Sequence, residues 1–158
     1  MSLPRFQVVP AAYLLLTRPA ERGTAVLLQL RGAGASYMPH HWASGAAGHV
    51  EYGESVAVAA AREAEEELGI QLATEDLRPL CALQRTEPGN PDPIEQRVDF
   101  FLTASRWVGE PTVREPAKCE RLGWFTLDEL PSPVVPHEEH VLRLLASGDL
   151  PPVLSLGF

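Results

Sequence analysis

The chain has few cysteines, the residues that cross-link small folds through disulfides or metal sites. Only two cysteines occur among its 158 residues, Cys81 and Cys119, and they stand far apart, outside any Cys-x-x-Cys spacing. This argues against a zinc ribbon and against a secreted disulfide scaffold. We expect two reduced, partly buried thiols. A chain of this length buries an adequate core unaided, so we predict one domain over residues 1–158.

Long apolar runs and excess basic charge are also missing. The apolar run at residues 8–16 is too short to span a bilayer, and residues 1–6 do not begin a targeting segment. The net charge of −8 disfavours binding to a nucleic-acid duplex or an anionic membrane. These features predict a cytoplasmic protein. The same charge would repel a polyanionic substrate unless metal cations lay between the two.

Apolar segments that alternate with turn-forming ones predict an α/β fold. Residues 6–17 and 24–30 have the composition of strands joined by a tight turn. Residues 32–48 are expected to form a long loop with one short strand. Further strands are expected at residues 80–86, 97–103 and 122–126, a last helix at 138–146 and a tail at 148–158. This order favours a sandwich with helices on both faces of a mixed sheet.

Residues 55–68 are the clearest helix. The segment is rich in Ala and Glu, contains neither Gly nor Pro, and is followed by Gly69, where a left-handed cap is favoured. Small apolar residues recur at helical spacing and would let the helix approach a sheet closely. They are Ala57, Ala61, Ala64 and Leu68.

Three carboxylates of this helix fall on one face. At about 100° per residue, Glu63, Glu66 and Glu67 share an arc of ~100°, whereas Glu65 points elsewhere. Like charges so close repel one another, and a hard divalent cation such as Mg²⁺ would relieve the repulsion. Residues 48–70 hold six Glu and one Arg, so the acidity of the chain is concentrated here. The pattern predicts a metal site.

The spacing within residues 48–70 is more specific than the composition. The segment fits G-x5-E-x7-R-E-U-x-E-E-x-G-U, where U is an apolar residue, and it resembles the Nudix box. Two positions depart from the usual pattern: Ala46-Ala47 precedes the first Gly in place of Pro-Gly, and Ala64 fills a place that a larger residue usually holds. The fixed positions are Gly48, Glu54, Arg62, Glu63, Glu66, Glu67 and Gly69.

This resemblance extends from residue 6 to about residue 140, and MutT-like pyrophosphohydrolases are the nearest group. It implies a Nudix-type α/β/α sandwich with a mixed, curved sheet between helices. It also implies Mg²⁺-dependent attack of water on phosphorus, with Mn²⁺ as a substitute. A nucleoside triphosphate, or another nucleoside diphosphate derivative, would yield a nucleoside monophosphate and pyrophosphate.

The resemblance also implies roles for the residues of the box. Glu66 and Glu67 would ligate metal, and Glu63 would be a ligand or the base that activates water. Arg62 would orient the carboxylates through its planar guanidinium. Glu54 would be a further ligand or a support for one.

Three further positions are implied outside the helix. The backbone carbonyl of Ala47 matches a place where the family often supplies a metal contact. Glu115 lies in a loop at residues 106–119 that resembles the loop bringing one more carboxylate over the metals, although a solvated role is also open. Arg31 would hold a phosphate or form a surface ion pair.

The substrate is less clearly marked. Relatives that act on ADP-ribose tend to carry Pro beyond the box, and those that act on dinucleoside polyphosphates tend to carry Tyr. Here those positions hold Arg85, Thr86 and Glu87, so a nucleoside triphosphate is the default expectation. Four ring side chains could line a base pocket, but packing in the core or in a loop explains them equally well. They are Tyr37, His40, His41 and Trp42.

Two other functions remain open. A Nudix-fold module that senses a nucleotide without cleaving it is one, but such modules usually lose box carboxylates, and this chain keeps them all. An isomerase acting on an isoprenoid diphosphate is the other, and it would need a pocket cysteine such as Cys81. A homodimer is also possible.

Overall fold

The computed structural model describes residues 5–158, so the first four residues of the proposed domain, and of the segment searched for a targeting signal, lie outside it. Within this range the chain forms eight strands and two α-helices. In chain order they are β1 (Val9–Pro19), β2 (Thr24–Arg31), β3 (Trp42–Ser44), β4 (Ala46–His49), α1 (Val56–Leu68), β5 (Arg78–Arg85), β6 (Arg97–Ala104), β7 (Cys119–Thr126), α2 (Pro136–Ser147) and β8 (Val153–Leu156).

The long strand β1 organises the mixed sheet. It runs parallel to β6 along most of its length, while β4 pairs antiparallel with its first half and β2 with its last residues. The path continues through β5 on one side and β3 on the other, and β7 joins β2. Since β4 and β2 take different halves of one strand, the sheet divides there into two curved layers.

The alternation of β1 side chains shows how the layers stack. Its even-numbered residues, at positions 12, 14 and 16, pack in the cluster that contains the buried side of α1. Its odd-numbered residues, at positions 11, 13 and 15, pack in the two clusters that contain Val141 and Leu142 of α2. Successive side chains of a strand face opposite ways, so the helices cover opposite faces. The predicted α/β/α sandwich is confirmed.

The ends of α1 follow from local chemistry. Ser55 caps the first turn by accepting a hydrogen bond from the Val58 N–H at 3.2 Å, and Gly69 ends the helix in the left-handed region at φ 70°. The buried face lies slightly to one side of the predicted stripe, because Ala57 and Ala61 are only half-buried. Small buried residues hold the helix close to β4 and β1, and they are Ala59, Ala60 and Ala64.

Two expectations from the sequence were wrong. Residues 32–48 contain two short strands, β3 and β4, because this buried backbone needs partners and finds them on β2 and β1. Residues 148–158 are not a simple tail, because β8 pairs in parallel with β5. Leu154 and Leu156 of β8 pack onto the α2-side core, which anchors the segment. No helix within residues 5–158 is long and apolar enough to cross a membrane.

Candidate active site

A cleft of about 870 Å³ opens on the face of the sheet where α2 lies, and its two ends differ in charge. We call the first the carboxylate end, where α1, β4 and the loop before β7 meet. Its acidic lining residues are Glu63, Glu66, Glu67 and Glu115. We call the second the arginine end, where β5 and β6 meet beside α2. Its lining includes Arg85 and Arg97.

The carboxylate end gathers the carboxylates predicted from the box. Glu63 is buried, Glu67 is half-buried, and Glu66 has a side-chain exposure of 56%. Glu115 joins them from the loop that leads into β7, and its carboxylate lies 3.2 Å from the Lys118 ammonium. Glu65 points to solvent, as its helical position predicts. The helix and the loop therefore bring four carboxylates to one wall.

Arg62 links the box carboxylates to one another. Its guanidinium lies 2.7 Å from a carboxylate oxygen of Glu54, 2.7 Å from one of Glu63 and 3.4 Å from one of Glu66. It also donates to the carbonyl of His49 at 3.1 Å. The hydrogen bond from Arg62 lowers the pKa of Glu54, and the same contact raises the pKa of the arginine. One guanidinium thus orients three carboxylates.

Glu67 has different partners. Its Oε2 accepts hydrogen bonds from the Ala47 N–H at 3.2 Å and from the Gln29 side-chain amide at 3.3 Å. Burial, and next the negative charge of Glu63, raise the pKa of Glu67 to about 8. Burial also raises the pKa of Glu63. The surrounding protein therefore does not fully stabilise the ionised forms of Glu63 and Glu67.

Gly48 fits the carboxylate end for a steric reason. A Cβ atom at this position would overlap the carboxylate of Glu63. The backbone of β4 therefore lies directly against a box carboxylate, and any larger residue here would displace that carboxylate from its present position. The first fixed glycine of the motif thus clears the space that Glu63 occupies.

The donor set fits a hard divalent cation by chemistry. In the part of the chain that the structure describes, no three His, Cys, Asp or Glu side chains stand at the spacing of ligands on one ion. Arg62 holds Glu63 and Glu66 through hydrogen bonds to their carboxylates. The groups that face the cleft are carboxylate oxygens, which Mg²⁺ and Mn²⁺ prefer, and their combined negative charge calls for a cation.

The other predicted residues are divided between the cleft and its surroundings. Ala47 and Arg31 line the cleft, and the Arg31 Nε–H donates to the carbonyl of Tyr37 at 2.6 Å. Glu54 stays behind Arg62 and does not reach the cleft lining, as far as residues 5–158 show. Of the four ring side chains considered for a base pocket, Tyr37 lines the cleft, whereas Trp42 is buried against Phe125.

The arginine end was not found from the sequence. Arg85, at the end of β5, is the register partner of Arg97, at the start of β6. Both contact Asp99, which is fully buried: Arg85 Nε donates to Asp99 Oδ2, and Arg97 Nη2 lies 3.6 Å from Asp99 Oδ1. Burial raises the pKa of Asp99, and the two guanidiniums oppose that shift. Only the pairing of β5 with β6 places these residues together.

Helix α2 adds two buried groups to the arginine end. His137 Nε2 lies 3.4 Å from the Tyr13 hydroxyl and 3.8 Å from Asp99 Oδ2. Burial, and next the positive charges of Arg85 and Arg97, lower the pKa of His137 to about 3, so its ring is neutral at neutral pH. Glu138 accepts from the Ser44 hydroxyl at 2.9 Å, and burial raises the pKa of its carboxyl to about 7.

Comparison with known proteins gives a consistent result. The family model described as NUDIX domain matches residues 8–145. A MutT NUDIX hydrolase from Burkholderia pseudomallei is 31% identical, with a TM-score of 0.73, over 87% of this chain and 97% of that one. The match covers both ends of the cleft. It confirms the resemblance drawn from residues 48–70.

More distant structures share the fold alone. The NUDIX domain of Shewanella oneidensis NrtR, solved with ADP ribose, is 13% identical with a TM-score of 0.67, over 90% of this chain and 88% of that one. A Caenorhabditis elegans Ap4A hydrolase is 23% identical with a TM-score of 0.59, over 87% and 96%. Neither comparison selects a substrate, because proteins of one fold act on different ligands.

Proposed function

This chain belongs to the NUDIX family, and we propose that it uses Mg²⁺, with Mn²⁺ as a substitute, to hydrolyse a nucleoside triphosphate to a nucleoside monophosphate and pyrophosphate. The family assignment makes the chain a hydrolase of nucleoside diphosphate derivatives. Three points go beyond the family assignment and belong to the proposal: the choice of metal, the triphosphate as substrate and the position of the cleaved bond.

One observation carries the proposal: Glu63, Glu66 and Glu67 of the box line the same cleft as Glu115. A solvated acidic helix would not also bury Glu63, half-bury Glu67 and hold both by specific hydrogen bonds. Two under-compensated carboxylates are costly to retain in a fold unless a cation uses them.

The metal ligands in this proposal are Glu66 and Glu67, with Glu63 and the carbonyl of Ala47 as further oxygen donors. A divalent cation held there would neutralise charge on the phosphate oxygens and orient the diphosphate. Arg62 positions Glu63 and Glu66, because its guanidinium donates to both. Glu54 supports Arg62 from behind rather than reaching the substrate. Arg31, on the cleft wall, is placed to hold a phosphate.

The reaction is a displacement at phosphorus. The oxygen of a water molecule forms a bond to phosphorus, the bridging P–O bond breaks, and pyrophosphate leaves with the electron pair. A carboxylate must accept the proton of the attacking water, and Glu63 and Glu115 are the two candidates. Glu63 is buried and hydrogen-bonded to Arg62, whereas Glu115 stands on a more exposed loop near Lys118.

The isomerase alternative loses its support. Cys81 lies in the core beneath α2, and burial raises the pKa of its thiol to about 11. A thiol in that environment is a poor nucleophile or acid at neutral pH. Cys119 does touch the cleft, but burial raises the pKa of its thiol to about 11 as well.

A nucleotide screen tests the proposal. The purified protein is incubated with nucleoside triphosphates, ADP-ribose and a dinucleoside tetraphosphate, in Mg²⁺, in Mn²⁺ or in excess chelator, and the products are separated by chromatography. We expect turnover of a triphosphate only with added metal, giving a monophosphate and pyrophosphate. Turnover in chelator would contradict the role of metal. A nucleoside diphosphate with orthophosphate would contradict the position of the cut.

A further inference from the structure

The arginine end carries more hydrogen-bond donors than the protein itself can satisfy. Each guanidinium has five N–H donors and no acceptor. Arg85 uses its Nε–H on Asp99, whereas Arg97 Nε and Asp99 Oδ1 are both buried without a hydrogen-bond partner among residues 5–158. The side chains of Arg85 and Arg97 are only 16% and 12% exposed, and both line the cleft. A bound group that is rich in acceptors would satisfy the guanidinium N–H groups that face the cleft.

The carboxylates nearest to the two arginines either lie outside the cleft lining or are bound to other groups. Asp99 lies behind the two arginines, outside the cleft lining in the described chain. Glu138 turns its Oε2 to Ser44, where it accepts from both the backbone N–H and the hydroxyl. Glu95 also lines this end, but it is partly exposed on the loop between β5 and β6. At this end the two arginines therefore present N–H donors to the cleft, while Glu138 is occupied by its hydrogen bonds with Ser44.

The distance between the two ends suits a nucleoside. Ala47 of β4 pairs with Tyr13 of β1, and β1 in turn pairs with β6, which carries Asp99 and Arg97. Two strand spacings, or about 10 Å, separate β4 from β6, and Arg97 lies four residues, or about 13 Å, along β6 from Phe101, which is level with Ala47. A diphosphate at the carboxylate end thus leaves the base at the arginine end. Tyr37 stands on the same wall, 47% exposed, and offers a ring face to a planar base.

We infer that Arg85 and Arg97 determine base specificity, favouring a purine with a carbonyl group at position 6 over one with an amine at the same place. The inference rests on the proposed function, since it assumes that a nucleotide occupies the cleft. The carbonyl oxygen at position 6 and the ring nitrogen N7 both accept from a guanidinium, whereas an exocyclic amine sets N–H against N–H. A well-made pair of this kind discriminates about ten- to a hundredfold.

Inosine and adenosine triphosphates are the matched substrates, because their purines differ in the carbonyl or amine at position 6. We expect kcat/KM for the inosine nucleotide to exceed that for the adenosine nucleotide about tenfold or more. Arg97→Lys keeps a positive charge for Asp99 but loses the planar fork, so the ratio should fall toward one while the protein stays folded. Arg143→Lys, on the exposed face of α2, is the matched control and should keep the wild-type ratio.

Binding of the monophosphates separates this inference from the proposed function. Calorimetry with inosine and adenosine monophosphates, in metal-free buffer, requires neither cleavage nor cation. Tighter binding of the inosine compound to wild type, lost in Arg97→Lys, supports the inference even if no triphosphate is hydrolysed. Equal binding of the two compounds, or a ratio that Arg97→Lys leaves unchanged, would overturn it. Absence of hydrolysis alone would count only against the proposed function.

Discussion

The two ends of the cleft differ in how their buried charges are balanced by neighbouring groups. At the carboxylate end, Glu63 is buried and Glu67 is half-buried, and burial raises the pKa of both, with the negative charge of Glu63 adding to the rise at Glu67. At the arginine end, the buried Asp99 lies between two guanidiniums that compensate it. The first arrangement is incomplete without a cation and is therefore suited to chemistry. The second pairs its buried carboxylate with two guanidiniums and is suited to holding the fold and presenting donors.

This difference predicts that charge removal costs activity at one end and stability at the other. Glu66→Gln and Glu67→Gln should each lower turnover roughly a hundredfold or more, because a direct metal ligand stabilises charge in the transition state. The melting temperature should not fall, since each change relieves repulsion. Steady-state rates at saturating Mg²⁺, with melting curves, test this.

Glu65→Gln is the matched control for the box variants. Glu65 has the same chemistry and lies on the same helix, but it faces solvent. Its rate and stability should stay within about 0.5 kcal/mol of wild type. Comparable activity in all three variants would mean that this face of α1 does not hold the metal.

The arginine end should behave in the opposite manner. Asp99→Asn leaves two nearly buried guanidiniums without their counter-charge, and breaking a buried ion pair in this way costs about 3 kcal/mol. We expect a marked fall in the denaturation midpoint, measured with urea. The exposed Asp128→Asn is the control, and it should unfold like wild type. Equal midpoints for the two variants would show that Asp99 does not stabilise the fold.

The sequence makes the carboxylate end predictable because that end is local. Ser55 and Gly69 cap one helix, and 3.6-residue periodicity alone puts Glu63, Glu66 and Glu67 on one face. Glu115 required the resemblance, since its loop has no periodicity. The carboxylates of the helix all lie within residues 48–70, whereas two partners of Glu67, Gln29 and Ala47, lie outside that segment.

The arginine end depends on pairings between distant segments. Arg85 meets Arg97 only in the observed register of β5 and β6, and His137 reaches Tyr13 across 124 positions of the chain. No spacing in the sequence indicates such contacts. The strand β8 was missed for a similar reason: Val153–Leu156 is short, and only its pairing with β5 makes it a strand. Local patterns therefore predicted the chemistry, and tertiary contacts determined its surroundings.

Arg62 offers a finer test of the carboxylate end. A lysine at this position keeps the charge, but it cannot donate in a fixed plane to Glu54, Glu63 and Glu66 together. We expect Arg62→Lys to lower kcat/KM about tenfold and to raise the Mg²⁺ concentration needed for half-maximal activity. Arg143→Lys, whose ion pair with Glu139 is exposed, is the control. An unchanged Mg²⁺ requirement would argue against a positioning role for Arg62.

The smallest expected effect concerns the pH dependence of stability at the arginine end. His137 has a folded pKa of about 3, well below its usual value of 6.5, because of burial and then the charges of Arg85 and Arg97. As the pH falls below 6.5, His137 becomes protonated in the unfolded chain but stays neutral in the folded chain. The histidine therefore destabilises the fold increasingly down to pH 3. Glu138 has the opposite sign. Its folded pKa is raised to about 7, so it stabilises the fold increasingly as pH falls from 7 to 4.5.

The two effects offset each other in wild type, and single variants should separate them. Between pH 7 and pH 5, His137→Gln should gain about 1–2 kcal/mol of unfolding free energy relative to wild type, since each pKa unit corresponds to about 1.4 kcal/mol. Glu138→Gln should lose a similar amount over the same range. The exposed His140→Gln, on the same helix, should follow wild type. Urea denaturation at the two pH values measures all three differences. If His137→Gln and His140→Gln showed the same pH dependence, His137 would not be held neutral by burial and by the arginines, and the charge assigned to this end of the cleft would need revision.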